Sequence, residues 1–71
     1  MLAGVPTDAE LRATFKTVLA DAIKGAGVPE GVGLDQHTTE ALLDVDAAAP
    51  NPPASLIQAA RVAFGKQLDK P

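Results

Sequence analysis

The segment at residues 7–24, TDAELRATFKTVLADAIK, constrains the fold most, because every local signal in it indicates a helix. Thr7 and Glu10 match the T-x-x-E capping box, in which each side chain accepts a hydrogen bond from the other residue's backbone amide. Gly25 follows directly, and glycine readily adopts the left-handed conformation that ends helices. The apolar residues recur with the spacing of one helix face; they are Leu11, Phe15, Val18, Leu19, Ala22 and Ile23. We therefore predict helix one over residues 7–24.

A glycine-rich loop and a shorter helix are predicted next. The loop, GAGVPEGVG at residues 25–33, has no strand before it and no GK[ST] after it, so it does not indicate a phosphate-binding loop. We predict helix two over residues 38–49, with Thr38 or Thr39 as its N-cap and Asp35 as an earlier alternative. The apolar stripe of this helix is Leu42, Val45 and Ala49, with Leu43 beside it.

A proline-rich connector, APNPP at residues 49–53, separates helix two from a third helix, because proline has no amide to donate. We predict helix three over residues 53–68, with Asn51 or Ser55 as its cap. Its core stripe is Ile57, Ala60, Phe64 and Leu68, and Val62 falls outside that stripe. The sequence thus predicts an all-α fold, a small three-helix bundle forming one helical domain over residues 1–71. Residues 1–6 form an apolar N-terminal tail, and helices one and three contribute most of the core.

The chain is short enough that a partner is expected to contribute to its stability. It has 71 residues, no cysteine and one histidine, so it lacks the disulfides and thiolate metal sites that stabilise many small domains. Only Phe15 and Phe64 are aromatic, so the predicted core is aliphatic and rich in alanine. These features favour burial of part of the surface against another protein chain.

Charge is distributed unevenly along the chain, whose net charge is −3. Residues 30–46 carry five acidic side chains and no basic one, whereas Arg61, Lys66 and Lys70 lie near the end. Opposite charges on one small body favour head-to-tail association or docking to a basic partner through helix two. The residues that we predict to bind a partner are Leu2, Val5, Glu40, Asp44, Asp46 and Val62.

Two residue groups around His37 and Ser55 were candidates for chemistry, and neither has the surroundings that the chemistry requires. His37 lies near acidic residues, but no second histidine or cysteine accompanies it, so no metal site is predicted. Ser55 could form a triad with His37 and an aspartate, but it lacks the G-x-S-x-G turn. We also expect a bundle of this size to have no room for an enzyme-sized pocket. The sequence therefore predicts no catalytic residue, no cofactor, no metal and no small-molecule substrate.

The leading hypothesis is a non-enzymatic helical assembly or interaction module, a small accessory subunit of a larger protein complex or virion shell. It would bind a protein partner or form a homo-oligomer, and it would be soluble, in the cytoplasm or within a virion or multi-protein assembly. One alternative is an acidic regulator or inhibitor of one protein target. The other is a helix-turn-helix DNA-binding protein, which the acidic net charge and the proline-rich connector disfavour. No membrane partner is expected, because no run of eighteen apolar residues occurs.

Overall fold

Three helices account for most of residues 7–69, the part of the chain that the structure, a computed structural model, describes. Helix α1 spans Asp8–Lys24, α2 spans Gln36–Ala47 and α3 spans Ala54–Asp69. They pack against one another, and the described residues contain no strand. The predicted all-α three-helix bundle is confirmed. None of these helices is long and apolar enough to cross a membrane.

Both ends of α1 are fixed by the local interactions that the sequence indicates. The Thr7 amide donates to Glu10 Oε1 at 3.0 Å, and the Glu10 amide donates to Thr7 Oγ1 at 3.1 Å, which completes the capping box. At the other end Gly25 adopts the left-handed conformation, with φ of 78°. The Gly25 amide donates to the Ala22 carbonyl and the Ala26 amide to the Asp21 carbonyl, the two bonds of a Schellman motif.

Helix α2 begins at Gln36, two residues before the predicted start, and ends at Ala47, two residues before the predicted end. Its N-cap is Asp35, whose Oδ1 accepts a 2.9 Å hydrogen bond from the Thr38 amide. The predicted caps Thr38 and Thr39 are therefore wrong, and the earlier alternative is correct. Thr38 instead lies fully buried in the first turn, where its hydroxyl donates to Gln67 Oε1 at 3.1 Å. That acceptor lies on α3, so no local sequence pattern predicts this hydrogen bond.

Helix α3 begins at Ala54, one residue later than predicted. Ser55 is already inside the helix, so its predicted role as the N-cap is wrong. The preceding connector contains a cis peptide bond between Ala49 and Pro50.

The loop between α1 and α2 returns the chain along the length of α2. The C-terminal ends of the two helices lie together, because the Gly27 amide donates to Asp46 Oδ1 at 2.9 Å. The N-terminal end of α2 instead lies beside the last turns of α3, where the Asp35 amide donates to Gln67 Oε1 at 2.9 Å. Helices α1 and α2 thus run in the same general direction, and α3 runs antiparallel to α2.

All three helices contribute to one hydrophobic core, and α2 is more central than expected. Leu42 and Val45 of α2 are fully buried, and this helix packs against both α1 and α3. Phe15 of α1 stacks on Phe64 of α3, with ring centroids 4.4 Å apart. The buried apolar residues are Phe15, Val18, Leu19, Ala22, Leu42, Val45, Ala60 and Phe64. The stripes predicted for α1 and α3 therefore face the core, as does the Leu42–Val45 pair of α2.

Candidate docking groove

A groove with a volume of about 740 Å³ runs along the outward face of α3, next to the first turn of α2. The start of α2 contributes Asp35 and His37 to its walls. Six residues of α3 form the rest; they are Ser55, Gln58, Ala59, Val62, Ala63 and Lys66. Their spacing repeats every three or four residues and marks the side of α3 opposite its core stripe. We call this surface the α3 groove.

The middle of the α3 groove is apolar and its ends are polar. Val62 is 47% exposed, and Ala59 and Ala63 lie on either side of it. Ser55 lies at one end of the groove and Lys66 at the other. Small side chains around a half-exposed valine leave space for another chain to approach the α3 backbone closely. This arrangement is suited to holding an apolar side chain of a partner.

The groove also contradicts the expectation that the bundle is too small for an enzyme-sized pocket, because its volume lies within the range of ligand sites. Nevertheless, the two candidate catalytic side chains lie at opposite ends of it. His37 belongs to the first turn of α2, which is bonded to Gln67 near the end of α3. At ~1.5 Å per residue, about 18 Å of helix separates Gln67 from Ser55. A direct hydrogen bond between His37 and Ser55 is therefore not formed.

The acidic residues near His37 do not assemble into a metal site. Within residues 7–69, no three histidine or acidic side chains come close enough together to hold a metal ion. Asp35 is engaged as the cap of α2. Glu40 Oε2 accepts a 3.1 Å hydrogen bond from Gln36 Nε2, one turn earlier on the exposed side of the helix.

Two of the predicted acidic contact residues are exposed, and one has a role inside the chain. Asp46 anchors the loop through its bond from the Gly27 amide and is only half-buried. Glu40 and Asp44 are exposed, and Leu43 between them is 47% exposed. We call Glu40, Leu43 and Asp44 the acidic α2 face. None of its three residues lines the α3 groove, to which α2 contributes only Asp35 and His37.

The structure thus distributes the predicted contact residues over different surfaces. Val62 lies in the α3 groove, Glu40 and Asp44 lie on the acidic α2 face, and Leu2 and Val5 lie outside the described residues. The sequence analysis missed the other groove residues of α3 and the exposure of Leu43. A signal for the groove was present, because Ser55, Ala59, Val62 and Lys66 recur at i, i+4, i+7 and i+11.

No family model, curated protein or solved structure matches the chain. Its function must therefore be inferred from the α3 groove and from the exposed side chains around it.

Proposed function

We propose that this protein is a non-enzymatic helical assembly module, a small accessory subunit of a larger complex or virion shell that docks on protein partners through the α3 groove. The observation that carries the proposal is the half-exposed Val62 in the apolar middle of that groove. In the described part of the chain, Val62 and Leu43 are the large hydrophobic residues left exposed. Exposed apolar side chains in a concave surface are typical of protein-binding sites.

The dimensions of the groove favour a helix as the bound element. From Ser55 to Lys66 the groove follows α3 for about 16 Å at ~1.5 Å per residue, which corresponds to three turns of a partner helix. An amphipathic helix bound there would place its apolar residues against Val62 and its polar residues toward Ser55 and Lys66. The alanines of the groove would allow close packing between the two helices.

A second candidate function is an acidic regulator or inhibitor that binds one basic protein target. The exposed pair Glu40 and Asp44 on the acidic α2 face favours it. DNA binding has less support, because the outward face of α3 presents Val62 and two alanines and only one basic residue, Lys66. A recognition helix would need several basic or amide side chains on that face.

The absence of cysteine from the chain allows a specific crosslinking test. A benzophenone attached to Ala59→Cys would lie in the α3 groove, and the same probe on Ala20→Cys is the matched control, because Ala20 is an exposed helical alanine on α1. Each labelled protein is added at trace concentration to an extract of the source cells and illuminated.

We expect the probe at position 59 to give an adduct with one defined protein, identified by mass spectrometry of the crosslinked peptides. The same probe on an Ala59→Cys, Val62→Glu double variant should give no adduct, because the centre of the groove is then charged. Equal labelling from positions 20 and 59, or no adduct from position 59, would contradict docking through the groove.

A further inference from the structure

We propose that the occupant of the α3 groove is a second copy of this chain, which inserts its acidic α2 face. The inference rests on the proposed docking function of the groove and adds the identity of the partner. It follows from a match in apolar side chains, charge and length between two surfaces of the same molecule.

The apolar match is between Leu43 and Val62. Each is 47% exposed, and in residues 7–69 they are the large hydrophobic side chains that the bundle leaves uncovered. Each lies on a different helix and points away from the core that its own helix helps to form. Placing Leu43 of one copy beside Val62 of another would remove both side chains from water in one contact.

The charges around these two side chains are opposite in sign. On α2, Leu43 is flanked by the exposed carboxylates of Glu40 and Asp44. On α3, the exposed cation of Lys66 lies one turn beyond Val62 on the same face. A contact centred on Leu43 and Val62 therefore brings two acidic side chains toward one basic side chain. The same arrangement opposes pairing of two acidic α2 faces, because like charges would meet.

The lengths of the two elements agree as well. Helix α2 has 12 residues and a length of about 18 Å, and the groove extends for about 16 Å between Ser55 and Lys66. The exposed side of α2 therefore matches the groove in length. A longer helix such as α1, with 17 residues, would project past the groove.

With one such contact between each pair of copies, the interface is heterologous, because the two copies use different surfaces. Each copy that has docked its acidic α2 face still presents an empty groove, and each occupied copy still presents a free acidic face. The contact therefore propagates head to tail. It weakens as salt rises, because its charged groups, Glu40, Asp44 and Lys66, are exposed.

The test is sedimentation velocity of the purified full-length chain, with two variants that each disable one surface. Leu43→Ser removes the inserted side chain and keeps the groove; Val62→Ser removes the centre of the groove and keeps the acidic face. Both positions are exposed, and circular dichroism checks that each variant remains helical. We expect wild-type protein to form a concentration-dependent series of oligomers that dissociate in high salt. We expect each variant alone to associate at least about tenfold more weakly than the wild-type protein.

The decisive sample is an equimolar mixture of the two variants. The intact acidic face of the Val62→Ser protein fits the intact groove of the Leu43→Ser protein, so the mixture should form one-to-one heterodimers and stop there. Oligomers of the Leu43→Ser protein as large as those of wild type would overturn the assignment of α2 as the occupant. A wild-type chain that stays monomeric at millimolar concentration would also overturn it. In both cases, an adduct between the labelled Ala59→Cys protein and a different protein would still support docking through the groove. If that adduct is absent as well, the proposed docking function is also wrong.

Discussion

Replacing Gln67 by alanine is expected to destabilise the bundle more than any exposed substitution on α3, because this side chain joins three segments of the chain. Gln67 Oε1 accepts hydrogen bonds from the Asp35 amide at 2.9 Å and the Thr38 hydroxyl at 3.1 Å. Gln67 Nε2 donates to the Gly33 carbonyl at 2.7 Å. One side chain therefore fixes the end of the loop and the start of α2 against α3.

The expected loss of stability follows from these three bonds. A hydrogen bond contributes about 0.5–1.5 kcal/mol net, and leaving a buried partner unpaired costs about 1–3 kcal/mol. The Thr38 hydroxyl belongs to a fully buried residue, so it would lose its partner without gaining water. We expect Gln67→Ala to lower the free energy of unfolding by about 2–4 kcal/mol. For a domain of this size the melting temperature would fall by at least about 8 °C.

Urea unfolding followed by circular dichroism, at low micromolar protein concentration, measures this change. Gln58→Ala is the matched control, because Gln58 is an exposed glutamine on the same helix and the same helix-propensity gain applies. Combining Gln67→Ala with Thr38→Val should show a coupling energy of about 1 kcal/mol in a double-mutant cycle. If Gln67→Ala and Gln58→Ala agree within about 0.5 kcal/mol, the three bonds do not stabilise the bundle as we argue.

Three further predictions concern stability and use the same urea assay. Gly25→Ala should cost about 2 kcal/mol, since φ is positive and the new methyl would meet the Ala49 Cβ, in the connector after α2, at 3.0 Å; Gly31→Ala, with positive φ but open space, should cost only about 1 kcal/mol. Gly65→Ala should stabilise α3 by about 0.5–1 kcal/mol, because nothing lies within 4 Å of the added carbon; a loss of stability there would mean that the glycine is needed for packing. Asp46→Ala should cost about 1–2 kcal/mol by releasing the loop amide, whereas Asp44→Ala should change stability by less than about 0.5 kcal/mol.

Helix α1 could be predicted in detail because all the interactions that define it are local. The capping box joins residues three apart, and the terminal glycine acts through its own φ angle. The start of α2 could not be decided in the same way. Asp35 and Thr38 are both good caps by composition, and the choice depends on a bond from Thr38 to Gln67, 29 residues away. A sequence pattern contains no information about such a partner until the helices are placed.

The candidate site was predictable only in part for a related reason. The stripe of α3 showed that Val62 lies away from the core, and the structure agrees. The groove, however, requires the first turn of α2 to lie beside α3, and that placement follows from the returning loop. Leu42 was placed on the apolar stripe of helix two with Leu43 beside it, and the structure buries Leu42 and exposes Leu43.

The stack of Phe15 on Phe64 has a consequence for the order of events during protein synthesis. Helix α1 leaves the ribosome first, but the ring that covers its central phenylalanine belongs to the last helix described and is made 49 positions later. The face of the Phe15 ring that stacks on Phe64 therefore stays uncovered until α3 is made, whereas α2, which also packs against α1, is available earlier. The core is complete only after α3 has emerged, because Ala60 and Phe64 belong to it.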